Sequence, residues 1–365
     1  MCRIGSGGMG QVYLGESAAG HQVAVKVIKA SELDEDSRAR FVLEVESLKT
    51  VYGPFVAAFV GADARADHPW LAVEYVAGPD LRAYIDEHGP LPPAEVASLG
   101  ALLAEGLRTV HQAGLLHRDL KPQNVVLASY GPKLIDFGLA VLAERRTTLT
   151  ATGVVVGSVL CMPPEQARGE HDLDHAADVY GLGAVLLFAA TGHYPYTGPT
   201  WQATALRIED PATLPDLDDL PSELHSLVTA MLAYDRADRP TTARVTEELV
   251  RIIADLGLTA AQAKRRLTGR IPIVEPPALP GPTSVDPVAY APILVDVAAR
   301  EDDAVSWAEE RGGPPEDEVT DNASPADGAA GAAPPAGSAG TRVRLPAPVR
   351  IAERIRAGYA RDARF

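Results

Sequence analysis

Cysteine is almost absent from this chain. The two present, Cys2 and Cys161, are far apart and form neither a disulfide framework nor a metal-ligand pattern, so they read as free thiols in a reducing compartment. Positive charge is in deficit. Lys and Arg number 33 against 49 Asp and Glu, a formal net charge of −16, which excludes nucleic acid as the main partner because a phosphate backbone needs a basic face. Long apolar runs are missing too. The longest, Gly181 to Thr191, falls short of the about 18 residues of a membrane-spanning helix and fits a buried helix instead. No apolar run follows the opening Met1-Cys2-Arg3-Ile4-Gly5, so no signal peptide is read there. The expectation is a cytoplasmic chain with no transmembrane segment. Aromatic residues, at 5%, are few, whereas Ala, Gly and Pro are common.

What is present suffices for a globular body: 365 residues, 46% of them hydrophobic, can bury a sizeable core. The first part reads as β-rich. Val12 to Leu14 and Val23 to Ile28 form short strands around a turn at Gly15 to Gln22, and Leu71 to Val76 forms another, closed by Gly78-Pro79. Between them, residues 36–49 repeat Phe41, Val45 and Leu48 at helical spacing. After residue 78 the pattern turns helical. Leu81 to Glu87 and Ala94 to Ala113 predict helices, the second started by Pro92-Pro93, and two short strands follow at Val125–Leu127 and Lys133–Ile135. A small β-rich lobe (about 1–77) followed by a larger helical lobe (about 78–255) is an α+β arrangement. Residues 256–348 are dense in Pro, Gly, Ala and acidic side chains and read as a mostly disordered linker, with a short helix at Ala260 to Leu267. In 349–365, Ile351, Ile355 and Tyr359 recur at four-residue spacing beside Arg350, Arg354, Arg356 and Arg361, a basic amphipathic helix candidate.

Three segments carry chemistry. Gly5-Ser6-Gly7-Gly8-Met9-Gly10-Gln11-Val12 is a glycine motif of a kind that dinucleotide folds also use, but here Gly10 leads into a strand rather than a helix. Glycines let backbone N–H groups close over phosphate oxygens. Lys26 lies within the apolar strand Val23-Ala24-Val25-Lys26, where its head needs a partner or a ligand phosphate. Glu44 on the following helix is the expected ion-pair partner, with Glu46, on another face, as competitor. The third segment is His117-Arg118-Asp119-Leu120-Lys121-Pro122-Gln123-Asn124, followed twelve residues later by Asp136-Phe137-Gly138.

In this order and spacing the motifs resemble the Hanks-type protein kinase family, and His117 to Asn124 is similar to its bacterial serine/threonine branch. The resemblance implies a bilobal kinase fold, ATP and Mg2+ as cofactors, and protein Ser/Thr hydroxyls as substrates. It implies that Asp119 orients the hydroxyl and accepts its proton, that Lys121 lies near the γ-phosphate, that Lys26 meets the α- and β-phosphates, and that Asn124 and Asp136 hold the metal. Gly5, Ser6, Gly7, Gly8 and Gly10 would cover the phosphates. Ile4, Val12, Ala24, Val126 and Ile135 would line an adenine slot with Val73 at its back, and Glu74 to Val76 would be the hinge whose backbone meets the base. Phe137 would pack on His117 and Leu48.

Downstream, Met162-Pro163-Pro164-Glu165 resembles the family's Ala-Pro-Glu element, with Glu165 pairing Arg239, and Asp178 resembles the aspartate that supports the catalytic loop. Arg118 beside Asp119 implies an activation segment controlled by an anion. Thr147, Thr148, Thr150 and Thr152 are the candidates for autophosphorylation, which a homodimer would perform in trans. Ser158 matches a positioning residue. Two features depart from the family: the glycine motif starts at residue 5, so the first strand reads as truncated, and Cys161 stands where an aromatic residue is common. These make a catalytically weak, pseudokinase-like scaffold the alternative. A small-molecule kinase is not expected to carry the Leu120-Lys121-Pro122 insert.

Overall fold

The computed structural model describes residues 2–7, 10–17, 20–28, 35–66, 68–137, 159–170 and 172–274. All of these belong to one compact unit, Met1–Val297; the basic helix expected over 349–365 lies outside the described residues, in a separate unit, Ala298–Phe365.

Five strands form an antiparallel sheet in the order β1-β2-β3-β5-β4: β1 (Cys2–Gly7), β2 (Gly10–Glu16), β3 (Gln22–Ile28), β4 (Phe59–Asp63) and β5 (Trp70–Glu74). The first glycines belong to this sheet. β1 is a six-residue strand that pairs with β2 from Cys2↔Leu14 to Gly7↔Gly10, with an irregularity between Arg3 and Gly5. Pairing gives the glycine backbone the hydrogen-bond partners it lacks as an open loop. Gly10 is required by close approach, since a Cβ there would lie 2.0 Å from the Val27 carbonyl oxygen on β3. Strand β4 was not expected; it is short, carries Gly61, and is irregular at that point.

Helix α1 (Glu35–Leu48) buries Phe41, Val45 and Leu48, the predicted face. The larger lobe begins with α2 (Leu81–His88), capped by the Asp80 side chain accepting from the Ala83 N–H, and α3 (Pro93–Gln112), with proline at its first turn. A 3-10 turn at Pro122–Asn124 leads into the hairpin β6 (Val125–Ala128) and β7 (Gly131–Leu134), whose strand residues are all buried. Then follow α4 (Pro164–Ala167), α5 (His175–Thr191), α6 (Trp201–Glu209), α7 (Ser222–Met231) and α8 (Thr242–Asp255). Helix α5 contains the longest apolar run and is buried from Ala177 to Ala190, the axis around which this lobe packs.

The body extends past residue 255. Helix α9 (Ala260–Arg270) starts with a reciprocal Thr259–Gln262 capping box and buries Ala263 and Leu267, with Ile271 beyond it, in the main core. Arg270 pairs with buried Glu95 of α3 at 2.6 Å. The short helix expected within a linker is therefore longer and part of the packed body, because its i, i+4 apolar pair finds a face on α3.

Candidate active site

The segment between α3 and the 3-10 turn is held from below by Asp178, near the start of α5. Its carboxylate is 1% exposed and accepts from the His117 N–H (Oδ2, 2.8 Å) and the Arg118 N–H (Oδ1, 2.8 Å). The same Oδ2 meets His111 Nε2 at 2.7 Å. Burial pushes this carboxyl up, but the His111 hydrogen bond, nearby His117 and the backbone donor outweigh it, and Asp178 titrates below the usual range. Arg118 adopts φ 62°, a left-handed conformation costly for a non-glycine residue; its N–H is held by Asp178 and its carbonyl accepts from the Gln166 amide at 3.2 Å. His117 is fully buried. Desolvation lowers its pKa against the pull of Asp178, Asp119 and Asp136, so the ring is neutral; it packs 6.4 Å from the Phe137 ring.

Above this anchor the polar groups converge. Lys121 Nζ donates to Asp119 Oδ2 at 2.7 Å, and Asn124 Nδ2 donates to the Asp119 carbonyl at 2.7 Å and to Oδ2 at 3.2 Å. The Asp119 side chain stays 37% exposed, open to a reactant. Ile135 N–H donates to the Asn124 carbonyl, which sets Asp136 beside the same loop. Asp136 also has positive φ, 59°, and its carboxylate receives Lys26 Nζ at 3.0 Å. Two hard oxygen donors fit a Mg2+ ion here: the half-exposed Asp136 carboxylate, and the Asn124 amide oxygen, turned away from Asp119 because the amide nitrogen is already committed to it.

Lys26 is thus paired with Asp136, and the expected Lys26–Glu44 ion pair is not among the pairs of the described residues. Glu44 is buried on α1, whereas the competitor Glu46 is exposed and pairs with Lys49 at 2.7 Å. The Lys26 ammonium instead meets the Asp136 carboxylate, which the left-handed Asp136 backbone carries beside the Asp119 loop.

On the nucleotide side, Val12 stands opposite Lys26 and Ala24 opposite Val73, both in register and both half-buried. Val76, Val126, Ala57 and Ala128 form a small apolar cluster against which Val73 and Ile135 pack. Ile4 is exposed on β1. Gly5, Ser6 and Gly7 lie in β1, while Gly8 is outside the described residues, as are Gly138, Thr147, Thr148, Thr150, Thr152 and Ser158. The Val76 N–H has no backbone partner among the described residues. The Glu74 side chain does not enter the slot; both its oxygens go to Lys133.

Glu165 and Arg239 form a buried bidentate pair at 2.6 and 2.8 Å, with the guanidinium 5.0 Å from the Tyr180 ring. Burial drives the Cys161 thiol far above its ordinary value. Two participants were missed from sequence. His111 braces Asp178, and its only signal was a polar residue at the end of α3, six positions before His117. Lys133 carries the same signal as Lys26, a lysine inside an apolar strand.

A family profile described as the protein kinase domain matches residues 1–250. The chain belongs to the protein kinase family. Its kinase region is 44% identical over 249 residues to the serine/threonine-protein kinase AfsK of Streptomyces coelicolor, covering 68% of this chain and 31% of AfsK. It is 35% identical over 243 residues to PknL of Mycobacterium bovis, covering 65% and 60% respectively. The chain therefore spans about a third of the length of AfsK. Among solved structures, residues 1–466 of Rad53 in complex with AMP-PNP superpose with a TM-score of 0.57 at 22% identity, covering 69% of this chain and 63% of that chain, which supports the bilobal kinase fold. No helix among the described residues of this kinase is long and apolar enough to cross a membrane.

Proposed function

We propose that this kinase transfers the γ-phosphoryl group of ATP to serine or threonine hydroxyls of proteins. The observation that carries the reading is the half-exposed Asp119 carboxylate, hydrogen-bonded to Lys121 and Asn124 on a loop pinned by buried Asp178. Phosphoryl transfer asks little covalent chemistry of a protein; it asks for position and for charge set where charge develops. Asp119 Oδ takes the hydroxyl proton as the substrate oxygen bonds to phosphorus and the bond to the bridging oxygen breaks, releasing ADP. Lys121, already against Asp119, lies where the transferred group passes and offsets its charge. Lys26 exchanges Asp136 for phosphate oxygens when nucleotide enters. Asn124 and Asp136 would hold Mg2+, which when bound neutralises phosphate charge. With these groups present, the scaffold alternative is not favoured.

The same reading expects a cytoplasmic enzyme that phosphorylates its own segment at Thr147, Thr148, Thr150 or Thr152, in trans between two copies. The test is ATP- and Mg2+-dependent labelling of the purified chain and of a generic basic protein, beside Asp119→Ala and Lys26→Ala. Labelling lost in both variants supports the reading. Wild-type protein that binds ATP but labels nothing would turn it to the scaffold.

A further inference from the structure

The hinge is fastened by a contact that phosphoryl transfer does not call for. Glu74 ends β5, and its carboxylate turns away from the nucleotide slot toward the larger lobe. Lys133 Nζ, on β7, lies 2.7 Å from Oε1 and 2.5 Å from Oε2. The Tyr130 hydroxyl donates to Oε1 at 3.2 Å, and the Ala58 N–H donates to Oε2 at 3.2 Å. The Glu74 N–H in turn donates to the Ala58 carbonyl at 2.8 Å. One carboxylate therefore ties together the end of β5, the segment leading into β4, the β6–β7 turn and β7.

Lys133 is 7% exposed, and a lysine so placed is costly unless its charge is matched. Its ammonium also lies 5.4 Å from the centre of the Tyr130 ring. Desolvation and the Glu74 charge push the Tyr130 phenol up to about 12, which keeps it a donor to the carboxylate at any working pH. The far end of the hinge is fixed separately: Leu127 N–H donates to the Pro79 carbonyl, and a Cβ on Gly78 would lie 2.1 Å from the Leu127 carbonyl oxygen. Between these two fixed ends runs Tyr75–Gly78, including the Val76 N–H that has no backbone partner among the described residues.

We propose that Lys133 is a positioning residue for purine selection: by its ion pair with Glu74 it sets the depth and tilt of the hinge backbone against the base, without touching nucleotide. The proposal rests on the kinase reading above. It follows from the geometry that the hinge has no other charged anchor on its β5 side among the described residues, so loss of Lys133 lets Glu74 seek water and draws the hinge with it. A displaced hinge weakens adenine recognition more than it weakens phosphate binding, and so blunts the choice between ATP and GTP.

The experiment compares wild type, Lys133→Met, Lys133→Arg, Glu74→Gln and the Lys133→Met/Glu74→Gln double variant, each checked for folding by circular dichroism. In Lys133→Met, KM for ATP should rise about tenfold with kcat within about twofold, and the ATP-over-GTP preference should narrow. Lys133→Arg should restore most of both. Glu74→Gln, which keeps one acceptor oxygen for Tyr130 or Ala58 but removes the charge that matches Lys133, should shift both in the same direction, and the double variant should be no worse than Lys133→Met alone, as coupled residues require. A folded Lys133→Met with unchanged KM and unchanged nucleotide preference overturns the proposal, as does a loss confined to kcat. If Lys133→Met does not fold, Glu74→Gln decides on the same readouts. If wild-type protein transfers no phosphate, the kinase reading fails on that observation alone. Calorimetric affinities for ADP and GDP then test the hinge, and an unchanged ratio in the variants overturns it.

Discussion

The two walls of the cleft are held by different kinds of bond. The wall carrying Asp119 rests on charges and donors sealed from water: Asp178 beneath the loop, neutral His117 beside it, and the Glu165–Arg239 pair bracing the lobe, all buried. The wall carrying the glycine motif rests on strand pairing, with one set of side chains, Leu14 on β2 and Val25 and Ile28 on β3, buried, Val12 and Ala24 half-buried, and an exposed Ile4 on β1. Buried polar contacts fix direction to fractions of an ångström and are lost all at once; an antiparallel ladder tolerates breathing, because each pair is modest and water can stand in for it. The chemistry end is thereby preorganised, and the nucleotide end is left free to admit ATP and release ADP.

That contrast can be broken first at the Glu165–Arg239 pair. Glu165→Ala strands a buried guanidinium and should cost about 3–5 kcal/mol of stability, read as a large fall in the denaturation midpoint. A loss below 1 kcal/mol would mean that water reaches Arg239 and that the wall is not sealed. Next comes Leu267→Ala in α9, 1% exposed in the core, which should cost about 2–4 kcal/mol while leaving kcat and KM of the surviving folded protein within about twofold. An equal effect on kcat would place α9 in the catalytic machinery.

Asp178→Asn is expected to be milder for stability and sharper for rate. The amide accepts from only one of the two backbone donors, so kcat should fall about 10- to 100-fold with KM for ATP nearly unchanged. If KM for ATP moved as much as kcat, the two walls would not be mechanically distinct.

The smallest effect is one of pH. His117 is held neutral by burial, so its folded pKa lies below its unfolded value; the unfolded chain takes up the proton first, and stability falls as pH drops below about 6.5. His175, lowered by desolvation and by stacked His111, adds to the same slope. Asp178, titrating below its usual value, loses its contribution only at lower pH, as pH falls through its folded pKa. Denaturation midpoints measured from pH 5 to 7 should therefore slope less in His117→Phe than in wild type, and parallel slopes would show the ring to be solvated.

Much of this architecture was legible because its signals are local. The segment His117 to Asn124 folds within a few residues, and the structure brings Asp119, Lys121 and Asn124 within hydrogen-bond reach of one another. Phe41, Val45 and Leu48 announce their helix by spacing, and the run on α5 announces burial by having no polar face. What escaped depends on direction and on partners distant in sequence. Strand β4 has five residues, one of them glycine, and offers too short a pattern to count. The helix over Ala260 to Leu267 was read, but the proline-rich composition that follows made it part of a linker, and its packing into the body was missed although Ala263 and Leu267 mark a buried face. Lys26 meets Asp136, 110 residues away in sequence, and no local pattern around Lys26 announces that partner. Glu74 was read for its backbone, and its side-chain direction was set by a lysine 59 residues away.

Helix α9 also determines how the kinase body would answer a mechanical load. The Arg270–Glu95 contact fastens the end of α9 to α3, and Leu267 and Ala263 seat its inner face in the core. Lys264 lies 5.4 Å from the centre of the Phe55 ring, and its side chain faces Gly131, the first residue of β7, which follows Tyr130 and leads to Lys133. A pull on the Arg270 end would therefore load α3 through Glu95 and reach the start of β7 through Lys264.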